Sequence, residues 1–165
     1  MTRVGVFFGT ITGNSKQIAE AIAREFGNDV ATGDISAIEP IQLNDYDLLI
    51  LGTSTWHIGE IDEWDDFIGR LGAIQTANTK FALFGLGDQD DYPDRFQGAL
   101  GLLYDRLRAR GAEIIGMTST EGYSFTDSAA LVDGKFVGLA LDDDSQQDLT
   151  ATRIHNWVEQ LKAKI

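Results

Sequence analysis

The sequence predicts an α/β fold: a doubly wound, five-stranded parallel sheet with helices on both faces and a last strand interrupted by an insertion. Three observations carry this reading. Apolar runs of buried-strand length alternate with amphipathic segments about five times along the chain. Such alternation implies right-handed crossovers and an open parallel sheet. Residues 119–141 alone break the rhythm, with aromatics and glycines but no helical period. At 165 residues the chain is long enough for one sizeable core and short for two, so residues 1–165 read as a single domain.

The strands come first. Val4–Phe8, Leu48–Leu51, Phe81–Phe84 and Ile114–Met117 are bounded apolar runs, and a weaker candidate at Asp29–Asp34 suits a sheet edge. Between them, Ile18, Ile22 and Phe26 share one helical face, with Gly27 at the position of a C-terminal glycine. Trp64, Phe67, Ile68 and Leu71 repeat the helical spacing. So do Phe96, Leu100, Leu103 and Leu107, and again Ile154, Trp157, Val158 and Leu161. Within the irregular segment Asp133-Gly134 signals a hairpin turn, and the run Phe136–Leu141 can resume the interrupted strand. Residues 119–135 of this excursion are expected to serve partner choice or stability and to be dispensable for ligand binding.

Charge narrows the function. Thirteen basic against twenty-six acidic residues give a net −13, which argues against nucleic acid or an anionic membrane and toward a basic protein surface as partner. With no cysteine there is neither a disulfide framework nor thiolate chemistry. No apolar run reaches membrane length and no signal-like segment opens the chain, so the cytoplasm is the default location.

In an open parallel sheet, ligands bind beyond the carboxyl ends of the strands. The first such loop, Thr10-Ile11-Thr12-Gly13-Asn14-Ser15, offers hydroxyls and backbone N–H groups at a helix start and no positive charge. It lacks the Gly-Lys-Ser/Thr of a nucleotide-hydrolysing P-loop and the GxGxxG of a dinucleotide site. It suits one phosphate monoester that is bound and not transferred. Two later loops, 53–59 and 85–92, each present an aromatic, Trp56 and Tyr92, and the pair could sandwich a planar ring.

These residues resemble the flavodoxin family, in its long-chain class, over essentially the whole chain. Residues 10–15 are similar to the family's phosphate loop; Thr55-Trp56-His57-Ile58-Gly59 and Gly85-x-Gly87-Asp88-Gln89-x-x-Tyr92 are similar to its two ring-covering loops. Gly122-Tyr123-x-Phe125, the 136–142 stretch and Leu149-Thr150 resemble the long-chain insertion and its return. The resemblance implies noncovalent FMN and one-electron transfer between redox enzymes, with no catalytic residue and no metal. It also implies phosphate on residues 10–15, the ring between Trp56 and Tyr92, and the backbone of Gly87 and Gln89 at the pyrimidine edge. Asp88 and Asp144 would contact or flank ring and ribityl. Expected partners are basic-surfaced redox enzymes of the ferredoxin/flavodoxin reductase type, with nitrogenase-type acceptors also compatible, and the protein itself is expected to be a monomer.

The alternative on the same fold is an FMN-dependent NAD(P)H oxidoreductase, which needs an open flavin face that Trp56 and Tyr92 would cover. A receiver-type signalling domain needs acidic residues after the first strand, where this chain reads Phe8-Gly9-Thr10.

His57 departs from the asparagine, tyrosine or glycine usual in the family. There, the carbonyl in this loop swings toward flavin N5 on one-electron reduction. Neither His57 nor Ile58 is glycine, and β-branched Ile58 resists positive φ. His57→Gly should therefore raise the first one-electron potential by tens of millivolts, on the scale of about 59 mV per tenfold change in relative affinity. Spectroelectrochemistry from pH 5.5 to 8.5 checks this. A potential unmoved by glycine, with a pH dependence that only His57→Asn removes, would assign the effect to the imidazole.

Overall fold

The computed structural model describes residues 2–9, 14–27, 29–54, 62–70 and 76–165. The chain runs β1 (Val4–Phe8), α1 (Asn14–Phe26), β2 (Ala31–Asp34), β3 (Leu48–Ser54), α2 (Asp62–Arg70), β4 (Lys80–Leu86), α3 (Gly98–Ala109) and β5 (Glu113–Ile115). It continues through β6 (Leu131–Val132), β7 (Lys135–Phe136), β8 (Leu139–Leu141) and α4 (Gln147–Lys162). The main sheet has the order β2-β1-β3-β4-β5, and β8 also pairs with β4. Every pairing in it is parallel.

The predicted doubly wound parallel sheet is therefore present, with five strand positions. Helices cover both faces because each buried strand alternates its apolar side chains between them. Val4, Val6, Phe8, Leu48 and Ile50 pack toward α1 and α4, meeting Ile18, Ile22, Trp157 and Leu161. Phe7, Leu49, Leu51, Phe81 and Leu83 pack toward α2 and α3, meeting Trp64, Phe67, Leu100 and Leu103. The helical stripes read from the sequence are the buried ones, although Phe26 is only half-buried, Phe96 precedes α3 and Leu71 lies outside the described residues.

The fifth position is shared. Glu113–Ile115 pairs with Lys80–Ala82, and Leu139–Leu141 pairs with Phe84–Leu86 along the same edge of β4. The strand expected at Ile114–Met117 thus ends early, at Ile115, where Gly116 takes a φ of 88°. Residues 116–138 leave the sheet, and only Leu139–Leu141 of the apolar run resumes it. The predicted hairpin is formed by β6 and β7, with Val132 opposite Lys135. Its two turn residues, Asp133 at φ 53° and Gly134 at φ 79°, have the positive dihedrals that a two-residue turn of this kind demands.

The excursion is not a peripheral flap. Ala130 and Phe136 are fully buried, and the Phe136 ring lies 4.9 Å from Tyr123, 5.3 Å from Phe125 and 5.9 Å from Phe96. Phe136→Ala should cost about 3–5 kcal/mol, the range for emptying a buried aromatic site. Ile41→Ser, at a residue 70% exposed, should stay within about 0.5 kcal/mol. Urea unfolding of both variants provides the comparison, and equal midpoints would contradict the core role of the excursion.

Candidate functional site

The parallel register brings the carboxyl ends of four strands to one edge. Phe8 stands opposite Gly52, Ser54 opposite Leu86, and Leu86 opposite Leu141. From β1 the chain passes to β2 on one side, and β3 lies on the other, so the winding direction switches between β1 and β3. A crevice opens at such a point, and ligands settle there.

Past β1, the Gly9 N–H donates to the Gly52 carbonyl at 3.0 Å and carries the ladder one residue further. Of the predicted phosphate loop, Thr10, Ile11, Thr12 and Gly13 lie outside the described residues. Asn14 and Ser15 open α1, Asn14 exposed and Ser15 fully buried. The Ser15 Oγ is buried with no hydrogen-bond partner among the described residues. An unpaired buried hydroxyl costs about 1–3 kcal/mol, and here it sits at the amino end of a helix, whose dipole favours an anion. Thr55, Trp56, His57, Ile58 and Gly59 also lie outside the described residues.

The third loop, after β4, is described throughout. Asp88 acts within it: its Oδ1 accepts the N–H groups of Asp90 and Asp91, each at 3.1 Å, and the Ser145 hydroxyl at 3.3 Å. The Tyr92 N–H donates to the Asp88 carbonyl at 3.0 Å, closing the turn. The Tyr92 ring is 40% exposed, with the Arg95 guanidinium 4.8 Å from its centroid. The backbone of Gly87 and Gln89 is expected at the pyrimidine edge, and its two N–H groups are engaged inside the protein. That of Gly87 donates to the Leu141 carbonyl at 3.0 Å, and that of Gln89 to the Asp142 carboxylate, also at 3.0 Å.

Asp144 is exposed, close to the same loop. Partial desolvation raises its carboxyl above the usual range, and repulsion from Asp88, Asp142, Asp143 and Asp91 adds to the rise. The loop after β4 and the segment after β8 thus share one acidic field. Among the described residues no group of three or more His, Asp or Glu side chains is arranged to hold a metal ion. No helix among them is long and apolar enough to cross a membrane.

Two residues beneath the loop escaped the sequence reading. Gln97 precedes α3 with φ 62° and is fully buried, its Nε2 donating to the Leu141 carbonyl at 3.0 Å. Asp142 is also fully buried, although the sequence places it in a run of three aspartates that reads as solvated. The one signal that could have separated Asp142 is its position directly after the strand Leu139–Leu141.

An open 2-1-3-4-5 sheet, with a buried donor unpaired among the described residues at the first helix and an exposed aromatic in the loop after β4, defines a doubly wound mononucleotide-binding protein. The flavodoxin family profile matches residues 6–157. A flavodoxin of Nostoc sp. is 48% identical over 164 residues, covering 98% of this chain and 96% of its own. Flavodoxin 1 of Escherichia coli is 44% identical over 168 residues, covering 100% of this chain and 96% of its own. A crystal structure of Fusobacterium nucleatum flavodoxin bound to flavin mononucleotide superposes with a TM-score of 0.90 at 30% identity, covering 100% of this chain and 99% of that one. The chain belongs to the flavodoxin family, itself a standard example of ligand binding at a β1/β3 switch point.

A carboxyl whose pKa is raised on folding makes the folded state bind protons that the unfolded state releases. Its cost to stability is absent below the unfolded pKa and sets in as pH rises through the raised one. Asp144→Asn should therefore be more stable than the parent at neutral pH, with the advantage fading as pH falls through the carboxylate range. Thermal unfolding at a series of pH values checks this, and an advantage that grows toward acid would reverse the assigned sign.

Proposed function

We infer that the protein is a low-potential one-electron carrier that holds FMN noncovalently and passes electrons between redox enzymes, performing no bond chemistry of its own. The observation that carries the reading is the Ser15 hydroxyl, fully buried and without a partner among the described residues, at the first helix of a flavodoxin-family sheet. That hydroxyl is a donor for a phosphate monoester, and the residues present fit the group. When bound, FMN supplies a ring system that takes up and releases electrons one at a time.

The protein's own residues bind, cover and tune. Thr10, Ile11, Thr12, Gly13, Asn14 and Ser15 form the phosphate cradle, drawing on hydroxyls and N–H groups at the start of α1. Trp56, within Thr55–Gly59, and Tyr92 cover the ring and exclude water from it. Because the Gly87 and Gln89 N–H groups are engaged internally, this stretch meets the pyrimidine edge through its carbonyls, which suit the ring N–H. Asp88 shapes the loop, and Asp144 adds negative charge beside it. The partners are basic-surfaced redox enzymes, the reductase type among them, met by a monomer in the cytoplasm.

Denaturing the purified yellow protein should release one FMN per chain. Stoichiometric FAD, or no flavin, would end this reading. Ser15→Ala should act in opposite directions on its two states: the apoprotein gains stability, while FMN affinity falls about tenfold through loss of a hydrogen bond to a charged group.

Reduction by a ferredoxin/flavodoxin reductase should slow as ionic strength rises, because a surface of net −13 is steered toward a basic one. Stopped-flow rate constants from low to moderate salt measure the effect. A rate indifferent to salt would remove the electrostatic partner.

A further inference from the structure

Under the loop after β4 lies a polar junction between the Gln89 and Asp142 side chains. The Asp142 carboxylate, fully buried, accepts three N–H groups. Its Oδ2 takes the Gln89 backbone N–H at 3.0 Å and the Gln89 Nε2 at 2.8 Å. Its Oδ1 takes the Ser145 N–H at 2.9 Å. Gln89, only 1% exposed, uses its remaining side-chain atom as well, its Oε1 accepting the Ser124 N–H at 2.5 Å. One residue of the ligand loop is thereby tied to the strand end at Asp142, to the segment leading into α4, and to the excursion at Ser124.

A charge buried on neutral donors alone is a costly way to fill space. An ionised carboxylate is, however, an acceptor-only group with room for several donors, so it fixes the orientation of every N–H around it. Here it receives both the backbone and the side chain of Gln89 on one oxygen, which leaves that residue a single pose. The loop between Gly87 and Tyr92 is held from below, and the carbonyls and ring it turns outward have their places set before any ligand arrives.

We propose that Asp142 and Gln89 are positioning residues for the flavin ring, and that through Ser124 they make the excursion part of the cofactor site. The proposal rests on the FMN reading given above and deepens it. It also reverses the expectation that residues 119–135 are dispensable for binding.

The test titrates apoprotein with FMN and with riboflavin, following flavin fluorescence. It uses the parent, Asp142→Asn, Gln89→Met and, as a control of equal charge change, Asp143→Asn. Asp143 accepts the Thr150 hydroxyl, whereas Gln89 donates to Asp142. Asp142→Asn and Gln89→Met should each weaken FMN and riboflavin by the same factor, about tenfold, because the loss falls on the ring side and spares the phosphate. The double variant should be no weaker than the weaker single one, and the visible circular dichroism of bound flavin should change. Asp143→Asn should bind as the parent does or tighter. Apoprotein thermal midpoints, read alongside, separate misfolding from mispositioning, since a purely structural role would lower the midpoint and leave affinity unchanged well below it. If Asp142→Asn fails to fold, Gln89→Met decides alone, because it keeps the buried carboxylate and the backbone bond to it. Affinities within twofold of the parent in folded variants, or a loss confined to FMN, would overturn the proposal. So would an equal loss in Asp143→Asn. A parent apoprotein that binds no FMN would overturn the cofactor reading and this proposal together.

Discussion

The arrangement of the ligand edge depends on how the backbone of Lys80–Leu86 is paired. One side of this buried strand is satisfied by Leu48–Ser54 in unbroken register. The other is satisfied twice over, by Glu113–Ile115 at its start and by Leu139–Leu141 at its end. A buried strand edge cannot be left open without orphaning its N–H and C=O groups, so a chain that departs at Gly116 has to return. The return is tight: a Cβ on Gly138 would lie 2.1 Å from the Leu83 carbonyl, at the residue between the two paired stretches. Only glycine lets the incoming backbone approach β4 so closely. Having returned, the chain sets the Leu141 carbonyl under Gly87 and Asp142 under Gln89. The cofactor loop is shaped by a segment that rejoins the sheet for a backbone reason.

The same requirement explains how the excursion is held. Its backbone groups lack a continuous sheet, and side chains of α4 and of Gln146 just before it serve several of them. Trp157 Nε1 donates to the Gly116 carbonyl at 2.8 Å, Gln160 Nε2 to that of Met117 at 2.9 Å, and Gln146 Nε2 to that of Gly122 at 2.8 Å. The Arg153 guanidinium lies 4.0 Å from the centroid of the Tyr123 ring, whose hydroxyl donates to the Ala140 carbonyl at 2.5 Å. Burial raises the Tyr123 phenol and the nearby Arg153 opposes that rise, which fits a ring packed against both core and cation. The helix that closes the fold and the excursion that interrupts it are one structural unit.

The sequence made the sheet legible because buried parallel strands leave continuous apolar runs, such as Val4–Phe8, and helices leave a 3.6-residue stripe, such as Ile154–Leu161. The hairpin was legible at Asp133-Gly134 because positive φ restricts the residue types that turn tolerates. The ligand loops were legible through their composition and position after strands. The buried junction was not. Asp142 is chemically identical to Asp143 and Asp144, and only the register that places it one residue past Leu141 sends it inward. Ser124 acts through its backbone N–H, which no side chain in the sequence announces. The early end of β5 was also hidden, since Ile114–Met117 stays apolar while its role passes from strand to excursion.

Charge at this edge has to serve two opposed needs. A bound phosphate monoester favours a positive or neutral cradle, whereas a strong reductant favours negative charge near the ring. A carboxylate ~10 Å from an added negative charge disfavours it by roughly 1.7 kcal/mol at an effective dielectric near 20. Salt with a Debye length of about 8 Å trims that figure for exposed groups such as Asp144 and less for a buried one such as Asp142. The chain separates the two needs in space. Residues 10–15 contain no ionisable side chain, and the acidic residues Asp88, Asp90, Asp91 and Asp142–Asp144 gather at the loops after β4 and β8. The Arg95 guanidinium, close in sequence to these aspartates, faces the Tyr92 ring. The Asp144 carboxyl is raised first by partial desolvation, and the carboxylates around it add to the rise. Under the proposed reading, dipoles and hydroxyls that tolerate that field would hold the phosphate, and the electron would be held against it.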